Sequence, residues 1–499
     1  MTTINTRASV LAVKPETTEG TPAKPAAATD FIAQQDDITM EPAFEQLENA
    51  ELKNSLGRAK TLVGLENPTA SFSHYFRASG VEGQAPNYGE ILKAIFGTEN
   101  VDSDEESTTT GSTTSVVELA SDGADHQRGT GLLIKDGTNG YSVRPVHSQS
   151  TNSLTLGFNL SSAPGNAVAV GKCVTYIPAN SSHQTLSLWE YLGNGGGIEL
   201  ISGSRPVGMD LSFEAGQYAN ANYSFEGIGF YYNPIEITGS NKFIDFDDGG
   251  GEENASITEK TYKDPHDVAS AIEDAINALT TDTVTVVYSD SDGKYTCTSD
   301  GSTFELLFAT GTNNANSIAT TIGYTAANKT GALTYESESA LDFSADYTPS
   351  YDSANPVVCK NMDCFIGEAD DSECFDPSSV SISMATPKAD TLSVCAESGK
   401  SGSIISSREI TIDVVALLPQ YCADRFRRMR ENSTTRFFIA GGPKEGGNFV
   451  AGKVFGCYAP TCTVTSISIA DNEGRAEISI SLSTFVDDDG NGEFYVFFL

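Results

Sequence analysis

The order of secondary-structure signals near the N-terminus recurs near the C-terminus, and this recurrence constrains the fold more than any other feature. In both places a short strand pattern and a longer one precede a helix pattern, and two strands joined by a turn come next. Such a recurrence indicates two copies of one β-rich unit. The signals lie at 37–40, 69–76, 88–96 and 209–230 in the first copy, and at 380–384, 409–415, 420–429 and 466–485 in the second.

The first helix and the terminal strand pairs carry clear local signals. Ile91, Leu92, Ile95 and Phe96 form an apolar stripe at helical spacing, and Gly97 stands where a left-handed C-cap is favoured. Both strand pairs alternate apolar and polar residues and have glycine at or near the turn, which is typical of hairpins. We therefore expect each unit to be a β-sheet with one flanking helix.

The pattern changes between the two units. Residues 236–350 combine one amphipathic helix with short strands and strong turn signals, which indicates a small inserted α+β domain. Residues 1–36 predict a strand followed by a Pro/Ala/Thr-rich arm. The sequence thus predicts a mainly β, duplicated chain. Its expected divisions are an arm at 1–36, a first unit at 37–235, an insert at 236–350 and a second unit at 351–499.

The charge balance limits the possible partners. The formal net charge is −37 over 499 residues. Such a surface repels nucleic acid unless a local basic patch intervenes, and it also keeps a protein soluble. No apolar run reaches the roughly 18 residues of a membrane span, and the first residues lack the apolar core of a secretory signal. We therefore expect synthesis in the cytoplasm and no membrane association.

The N-terminal residues and the order of elements together resemble a known family. The run Leu11–Pro22, a strand followed by a Glu-Gly-Thr-Pro loop, is similar to the opening of the tail tube proteins of long-tailed bacteriophages. Ser79 and Gly80 followed by the helix pattern at 86–96 fit the same family. The resemblance implies sandwich- or barrel-forming tail-tube domains. The long segment 98–150 departs from it, because a minimal tube domain does not need that segment.

The resemblance also implies a function. In the family one tube domain forms a sixth of a ring, and rings stack into a hollow tail. A chain with two such domains is expected to close a ring with three copies, a trimer that imitates a hexamer. Implied partners are further copies of the chain, the tape measure protein, the tail terminator and tip proteins, and DNA in transient passage without specific binding. The implied location is the virion tail, after assembly in the host cytoplasm.

An acidic lumen suits this function, because a wall that attracted phosphates would trap the DNA by counterion release. Carboxylates in the two terminal hairpins are candidates for this wall, although a solvated strand face explains them equally well. The candidate lumen-facing residues are Glu214, Glu226, Glu473 and Glu477.

A cluster of arginines in the second helix is conspicuous in so acidic a chain. It predicts ion pairs with a neighbouring subunit or ring, and the alternative is pairing within the chain near a helix C-terminus. The candidate interface residues are Arg425, Arg427, Arg428 and Arg430.

Other motifs do not predict catalysis or cofactor binding. Asp487–Gly492 resembles the start of a calcium-binding loop, but Phe498 occupies the position that requires a bidentate glutamate, so a turn is expected. Cys359, Cys364 and Cys374 lie close together without a histidine, which predicts no zinc site. No nucleophile, zinc or phosphate-loop motif occurs. We expect a non-enzymatic protein without cofactor or metal; the alternatives are a glycan-binding surface adhesin and a polysaccharide-acting enzyme.

Overall fold

The computed structural model describes residues 4–36, 38–51, 57–193, 195–370, 376–418, 423–487, 490 and 492–499. These residues are mainly β, as the sequence predicts. The described part contains three α-helices, α1 (Gly89–Phe96), α2 (Pro265–Asn277) and α3 (Ala423–Glu431). It also contains the 3-10 helices Thr6–Ala8, Ala28–Asp30, Gly123–Asp125, Asn314–Asn316 and Ala319–Ile322.

Strands occur along the whole described chain. In the first part they are β1 (Val10–Pro15), β2 (Phe31–Ile32), β3 (Thr39–Glu41), β4 (Phe44–Leu47), β5 (Leu62–Glu66), β6 (Thr69–Tyr75), β7 (Gly97–Asp102), β8 (Glu106–Ser107), β9 (Val116–Glu118), β10 (Gly131–Asp136), β11 (Gly140–Ser150), β12 (Ser153–Leu156), β13 (Ala169–Val170), β14 (Cys173–Pro178), β15 (Leu186–Leu192), β16 (Gly197–Glu214), β17 (Asn220–Glu226) and β18 (Gly229–Tyr232). The later strands are β19 (Ile235–Ile237), β20 (Phe243–Asp247), β21 (Glu252–Ser256), β22 (Lys260–Tyr262), β23 (Val284–Ser289), β24 (Lys294–Ser299), β25 (Glu305–Leu306), β26 (Thr334–Glu336), β27 (Asp363–Gly367), β28 (Pro377–Ala385), β29 (Lys388–Leu392), β30 (Lys400–Ile405), β31 (Glu409–Leu417), β32 (Thr435–Gly441), β33 (Lys444–Glu445), β34 (Asn448–Phe449), β35 (Phe455–Asn472), β36 (Arg475–Thr484) and β37 (Tyr495–Phe498).

The predicted elements occur close to their expected positions. The first strand begins at Thr39 instead of Asp37, which lies outside the described residues. The second helix is described from Ala423, so the first three residues expected in it lie outside the described chain. Gly97 has φ of 90°, the left-handed conformation that glycine adopts without a steric penalty, and it ends α1 as predicted.

The chain divides into two compact units. The large unit consists of Leu11–Ser187, Gly203–Ile228 and Pro349–Leu499. The small unit consists of Leu188–Ser202 and Gly229–Thr348, with the residues up to Val10. The small unit takes in most of the segment expected as an insert, and the expected domain limits stay a prediction.

An eight-stranded antiparallel sheet forms one layer of the large unit, and we call it the main sheet. Its order is β3-β6-β17-β16-β28-β31-β36-β35. The first four strands come from the N-terminal part of the chain and the last four from the C-terminal part. They join where β16 pairs with β28, with Gly208 opposite Ala385 and Glu214 opposite Ser379.

The two four-strand sets of the main sheet have the same internal order. Across the sheet, the first and second strands of each set in chain order are followed by the last strand and then by the next-to-last strand. These are β3, β6, β17 and β16 in one set, and β28, β31, β36 and β35 in the other. A hairpin separates the first two strands in both sets, β4–β5 in one and β29–β30 in the other, and a helix comes after the second strand, α1 or α3. Each terminal hairpin also has an irregularity, between Pro206 and Gly208 in one set and between Val464 and Ser466 in the other.

A second layer packs on the apolar face of the main sheet. Its order is β7-β14-β37-β35-β32-β27. Strand β35 belongs to both layers, since its start pairs with β37 and its end with β36. Aromatic rings fill the space between the layers: Phe76 lies 4.9 Å from Phe455 and 5.7 Å from Phe498 between ring centroids, and Tyr88 lies 6.0 Å from Phe498.

Most of the segment that departs from a minimal tube domain forms a small barrel together with β12 and β13, which follow it. Its strands are ordered β8-β13-β10-β11-β12-β9. A bridge between Thr108 and Leu119 joins the two outer strands and so closes the sheet on itself. Closure removes the open edges that would otherwise pair with other chains. The interior is filled by Val117, Leu132, Ile134, Val146, Leu154, Leu156 and Val170.

The small unit has a core of its own. Asp264 caps α2 by accepting a hydrogen bond from the backbone N–H of Asp267, and Pro265 occupies the first turn, where its missing N–H costs nothing. The buried face of α2 packs on β23, a strand of the β23-β24-β26 sheet. No helix in the described parts of the chain is long and apolar enough to cross a membrane.

Candidate functional site: a polar sheet face with open edges

The two faces of the main sheet differ sharply in chemistry. Residues such as Phe72, Leu211 and Ile412 point into the core and are almost fully buried. The opposite face, which we call the polar face, is half-buried or exposed and carries mostly hydroxyl, amide and carboxylate groups. Its residues are Thr39, Glu41, Thr69, Ser71, Ser73, Tyr75, Gly208, Asp210, Ser212, Glu214, Asn220, Asn222, Ser224, Glu226, Ser379, Ser381, Ser383, Ala385, Glu409, Thr411, Asp413, Val415, Leu417, Ser466, Ser468, Ala470, Asn472, Arg475, Glu477, Ser479, Ser481 and Ser483.

Acidic groups dominate the charge of the polar face. The basic residue of the polar face is Arg475, at the tip of the β35–β36 hairpin. Seven carboxylates against one guanidinium give a net charge of −6. The seven are Glu41, Asp210, Glu214, Glu226, Glu409, Asp413 and Glu477.

Three of the four candidate lumen residues lie on this face. Glu214 lies opposite Ser379, Glu226 opposite Thr69, and Glu477 opposite Leu417. Glu473 instead stands in the exposed hairpin turn, with φ of 52°. Whether any of them faces a lumen stays a prediction.

Sequence reasoning missed four of the acidic positions, Glu41, Asp210, Glu409 and Asp413. The alternation of apolar and polar residues in their strands could have placed them on the polar face. Each of the four directly follows or precedes a buried or half-buried side chain that belongs to the opposite face.

Two of the missed carboxylates are held by serines across the sheet. Ser383 Oγ donates to Asp210 Oδ1 over 2.6 Å, and Ser481 Oγ donates to Asp413 Oδ1 over 2.5 Å. Both pairs are directly opposite each other on neighbouring strands. In the described chain neither carboxylate has an ion-pair partner, so both contribute their full charge to the face.

The main sheet ends in two open edges. Within the described residues, no strand pairs with the outer side of β3, and none pairs with the outer side of β35 beyond Thr463. An open strand edge presents unpaired N–H and C=O groups to another strand. This edge of β35 also exposes apolar surface, since Ile469 is 52% exposed.

The loop that carries the family resemblance encloses a half-buried carboxylate. Glu16 Oε1 accepts hydrogen bonds from Ser187 Oγ and the Gly203 N–H, and Oε2 accepts from Thr185 Oγ1 and the Gly20 N–H, each over 2.8 Å. Burial raises the pKa of Glu16 in spite of these four donors.

The same loop also reaches the second half of the chain. Glu19 pairs with Arg205 over 3.2 Å and accepts from Ser403 Oγ over 2.5 Å. It therefore ties the N-terminal part of the large unit to the β29–β30 hairpin.

The arginines of α3 are partly paired within the chain. Arg428 lies 2.6 Å from Glu368, and Arg427 lies 3.0 Å from Glu431 one turn away. These contacts agree with the alternative of intrachain pairing for two of the four residues. Arg425 is half-buried and Arg430 is exposed. The subunit-interface role of the cluster stays a prediction.

A histidine and two carboxylates meet in a buried cluster that the sequence did not indicate. His126 Nε2 lies 2.8 Å from Glu106 Oε2 and 3.5 Å from Asp102 Oδ2. Burial, and then the neighbouring Glu106, raise the pKa of Asp102 to about 6. Asp102 and Glu106 are 4 positions apart on two strands, and His126 follows 20 positions later in a loop. No sequence motif has this spacing, so no local pattern could have predicted the cluster.

The remaining motifs gain no chemistry from the structure. Cys359 and Cys364 are buried, whereas Cys374 lies outside the described residues. Of the calcium-loop-like segment, Asp487 pairs with Arg128 over 2.7 Å, and Asp488, Asp489 and Asn491 lie outside the described residues.

Comparison of the sequence with protein-family models and with curated proteins gives no match.

Proposed function

We propose that this chain is a structural subunit of a bacteriophage tail tube, in which three copies close a ring and rings stack into a hollow tube. The observation that carries the proposal is the pairing of β16 with β28. It joins two four-strand sets of identical order, through the next-to-last strand of the first set, β16, and the first strand of the second set, β28. The two ends of the sheet are the equivalent strands: β3 is the first strand of the first set, and β35 is the next-to-last strand of the second set.

In the proposed ring, β35 of one copy pairs with β3 of the next copy as β16 pairs with β28 within the chain. Such a head-to-tail contact generates a closed ring when the rotation between copies divides a full turn. Three chains then supply six four-strand sets, in line with the family resemblance. Closure of the sheet into a barrel also removes both open edges.

Side-chain burial supports this pairing. Ile467 and Ile469 come after the irregularity of β35 at the same distances as Met209 and Leu211 come after that of β16. Met209 and Leu211 are each 1% exposed, beside Met384 and Ile382 of β28. A neighbouring strand would bury Ile469 in the same way, which contributes on the order of 1 kcal/mol for a half-exposed side chain.

The polar face suits the wall of a DNA channel. In the proposed barrel it lines the lumen, and each chain brings a net charge of −6 from its strands. Phosphates are repelled from such a wall and release no counterions on it, so DNA passes without being held. Serine, threonine and asparagine side chains keep the wall hydrated between the carboxylates. The tape measure protein would occupy the same channel before DNA does.

The two equivalent hairpins are proposed to make the contacts between rings. Each carries apolar side chains that are 45–65% exposed. Such patches mark protein–protein contacts. The exposed residues are Phe44, Leu47, Leu62 and Val63 in the β4–β5 hairpin, and Leu392 and Ile404 in the β29–β30 hairpin.

Electron microscopy of the purified protein tests the proposal. Negative-stain images should show rings or tubes with three-fold symmetry and a central channel. Ile469→Asp should abolish rings, because it places a charge at the proposed joint. Val287→Asp is the matched control, since Val287 is also 52% exposed but belongs to the small unit.

Two results would overturn the assignment. One is a wild-type protein that stays monomeric at every salt and protein concentration, as the adhesin and enzyme alternatives predict. The other is loss of rings to the same extent in both variants.

A further inference from the structure

The buried cluster of Asp102, Glu106 and His126 stands where the small barrel leaves the second layer. Asp102 is the last residue of β7, and Glu106 is the first residue of β8, which belongs to the barrel. His126 comes directly after the 3-10 helix Gly123–Asp125, in the loop between β9 and β10. Three separate backbone segments therefore contribute one side chain each.

The cluster is almost completely shielded from solvent. Asp102 is 4% exposed, Glu106 is 5% exposed and His126 is fully buried. One imidazole nitrogen and one oxygen from each carboxylate all lie within 4.8 Å of one another. Tetrahedral coordination with bonds of about 2.0–2.1 Å separates neighbouring ligand atoms by roughly 3.3 Å. The observed separations of 2.8 and 3.5 Å from His126 Nε2 lie on either side of that value.

Several polar atoms of the cluster lack hydrogen-bond partners. Among the described residues, none donates a hydrogen bond to Asp102 Oδ2 or Glu106 Oε1, and His126 Nδ1 has no partner either. Buried polar groups are nearly always paired, and an uncompensated buried charge is strongly unfavourable. Two buried carboxylate oxygens, Asp102 Oδ2 and Glu106 Oε1, are therefore available to a cation at the centre of the cluster.

We propose that Asp102, Glu106 and His126 bind one divalent transition-metal ion, with Zn²⁺ as the best match. Two carboxylates neutralise the ion, Glu106 can use both oxygens, and neutral His126 supplies Nε2. Imidazole together with carboxylate suits zinc, manganese and ferrous iron, whereas magnesium and calcium prefer all-oxygen sites with several waters. Water completes the coordination.

The role of this ion is structural. It connects the end of β7, the start of β8 and the loop after β9, so it fastens the small barrel to the second layer of the large unit. Because the unfolded chain does not hold the three side chains together, binding energy adds to the free energy of folding. This inference does not depend on the proposed tube function.

Metal analysis of the full-length protein tests the site. Protein refolded with ZnCl₂ and then desalted should contain one zinc per chain, and its melting temperature should exceed that of protein refolded with chelator by on the order of 5 °C. X-ray absorption should show only nitrogen and oxygen ligands. MnCl₂ and MgCl₂ are the comparison ions, and Mg²⁺ should give no shift.

Variants separate this site from surface binding. Glu106→Gln keeps the side-chain shape and should lower zinc affinity more than 10-fold, with loss of the melting shift. Asp125→Asn, an exposed neighbour, and His266→Ala, which removes an exposed histidine next to Asp290, should both retain the zinc. If Glu106→Gln folds poorly, Asp102→Asn provides the second test. Wild-type protein without stoichiometric zinc, zinc retained by Glu106→Gln and Asp102→Asn, zinc lost in His266→Ala, or sulfur in the coordination shell would each overturn the assignment.

Discussion

Leu211 and Ile469 occupy the same place in the two four-strand sets, three residues after an irregularity in the first strand of the hairpin, yet Leu211 is 1% exposed and Ile469 is 52% exposed. The difference lies in the neighbouring strand. Leu211 has Ile382 of β28 directly opposite, whereas Ile469 has no neighbouring strand on its outer side within the described residues. If the ring proposed above forms, the equivalence specifies which residue of the next copy lies beside Ile469.

In the proposed ring, that residue is Met40 of the next copy. A row of opposite residues runs across the first set from Met40 to Ala70, Phe225 and Pro206, and Pro206 stands just before the irregularity. The matching row across the second set runs from Ile382 to Ile412, Leu482 and Val464, and Val464 also stands just before the irregularity. Met40 thus corresponds to Ile382.

We predict that the double variant Ile469→Cys/Met40→Cys forms disulfides between copies. Directly opposite residues in an antiparallel pair have Cβ atoms close enough for an S–S bond. Non-reducing electrophoresis should show covalent dimers and trimers and nothing larger. Replacing Met40→Cys by Glu41→Cys moves the thiol to the other sheet face and should reduce cross-linking at least 10-fold. Equal cross-linking by both pairs would contradict the register.

The exposed hairpins give a prediction about stacking. Val63→Glu combined with Ile404→Glu should leave single rings but prevent long tubes, because both side chains are 63% exposed and belong to the β4–β5 and β29–β30 hairpins, not to β3 or β35. Sedimentation velocity at several protein concentrations distinguishes rings from tubes. Tubes of normal length in this variant would show that the hairpins do not join rings.

The acidic polar face gives a prediction about DNA. Asp210→Lys combined with Asp413→Lys should give tubes that bind DNA, whereas wild-type tubes should not bind it. The change replaces two negative charges by two positive ones on each chain, so binding should rise at least 10-fold at 50 mM salt and fall steeply as salt increases. Co-sedimentation with labelled duplex DNA measures it. The matched variant Asp210→Asn/Asp413→Asn should bind little, and wild-type tubes that bind as tightly as the lysine variant would contradict a repelling wall.

Buried His74 predicts sensitivity to acid. Its ring lies 4.2 Å from that of Tyr88, and burial lowers its pKa to about 4. An unfolded histidine has a pKa of about 6.5, so between these values the unfolded chain binds the extra proton. Stability is therefore fully present above about pH 6.5 and is lost as the pH falls, by up to about 1.4 kcal/mol per pH unit.

Other groups modify this dependence, so a variant must isolate it. Burial and two arginines lower the pKa of His147 to about 4, which acts in the same direction as His74. The raised pKa of Asp352, about 6, acts in the opposite direction, because the folded state then binds the extra proton between about pH 3.8 and 6. His74→Phe should flatten the pH dependence of the free energy of unfolding, measured with urea from pH 7 to 4.5. Tyr88→Phe, which changes the ring beside His74 but no group that titrates between pH 7 and 4.5, should leave the slope unchanged.

Local patterns in the sequence were sufficient for some elements and not for others. The stripe of α1, the left-handed Gly97 and the alternation of the two terminal hairpins depend on neighbours in the chain, and all of them appear in the structure. The join between β16 and β28 connects residues about 170 positions apart, and nothing in either strand names its partner. Four of the six strands of the small barrel lie in the segment that the family resemblance did not explain.

The candidate sites obey the same rule. Glu214, Glu226 and Glu477 were found because each belongs to a strand with clear alternation. The cluster around His126 was not, because a site built from one residue on each of three segments has no local signature. Tertiary contact alone brings these residues together.

Strand β35 carries the open edge at one end and the packed interior at the other, without a break in the backbone between Phe455 and Asn472. It runs from the second layer into the main sheet as one strand. Its start places Phe455 against Phe76 and Phe213, whose rings lie 4.9 and 5.4 Å away between centroids. In the proposed ring, a load on the joint between two chains therefore reaches the aromatic interior along a single strand, across the irregularity between Val464 and Ser466.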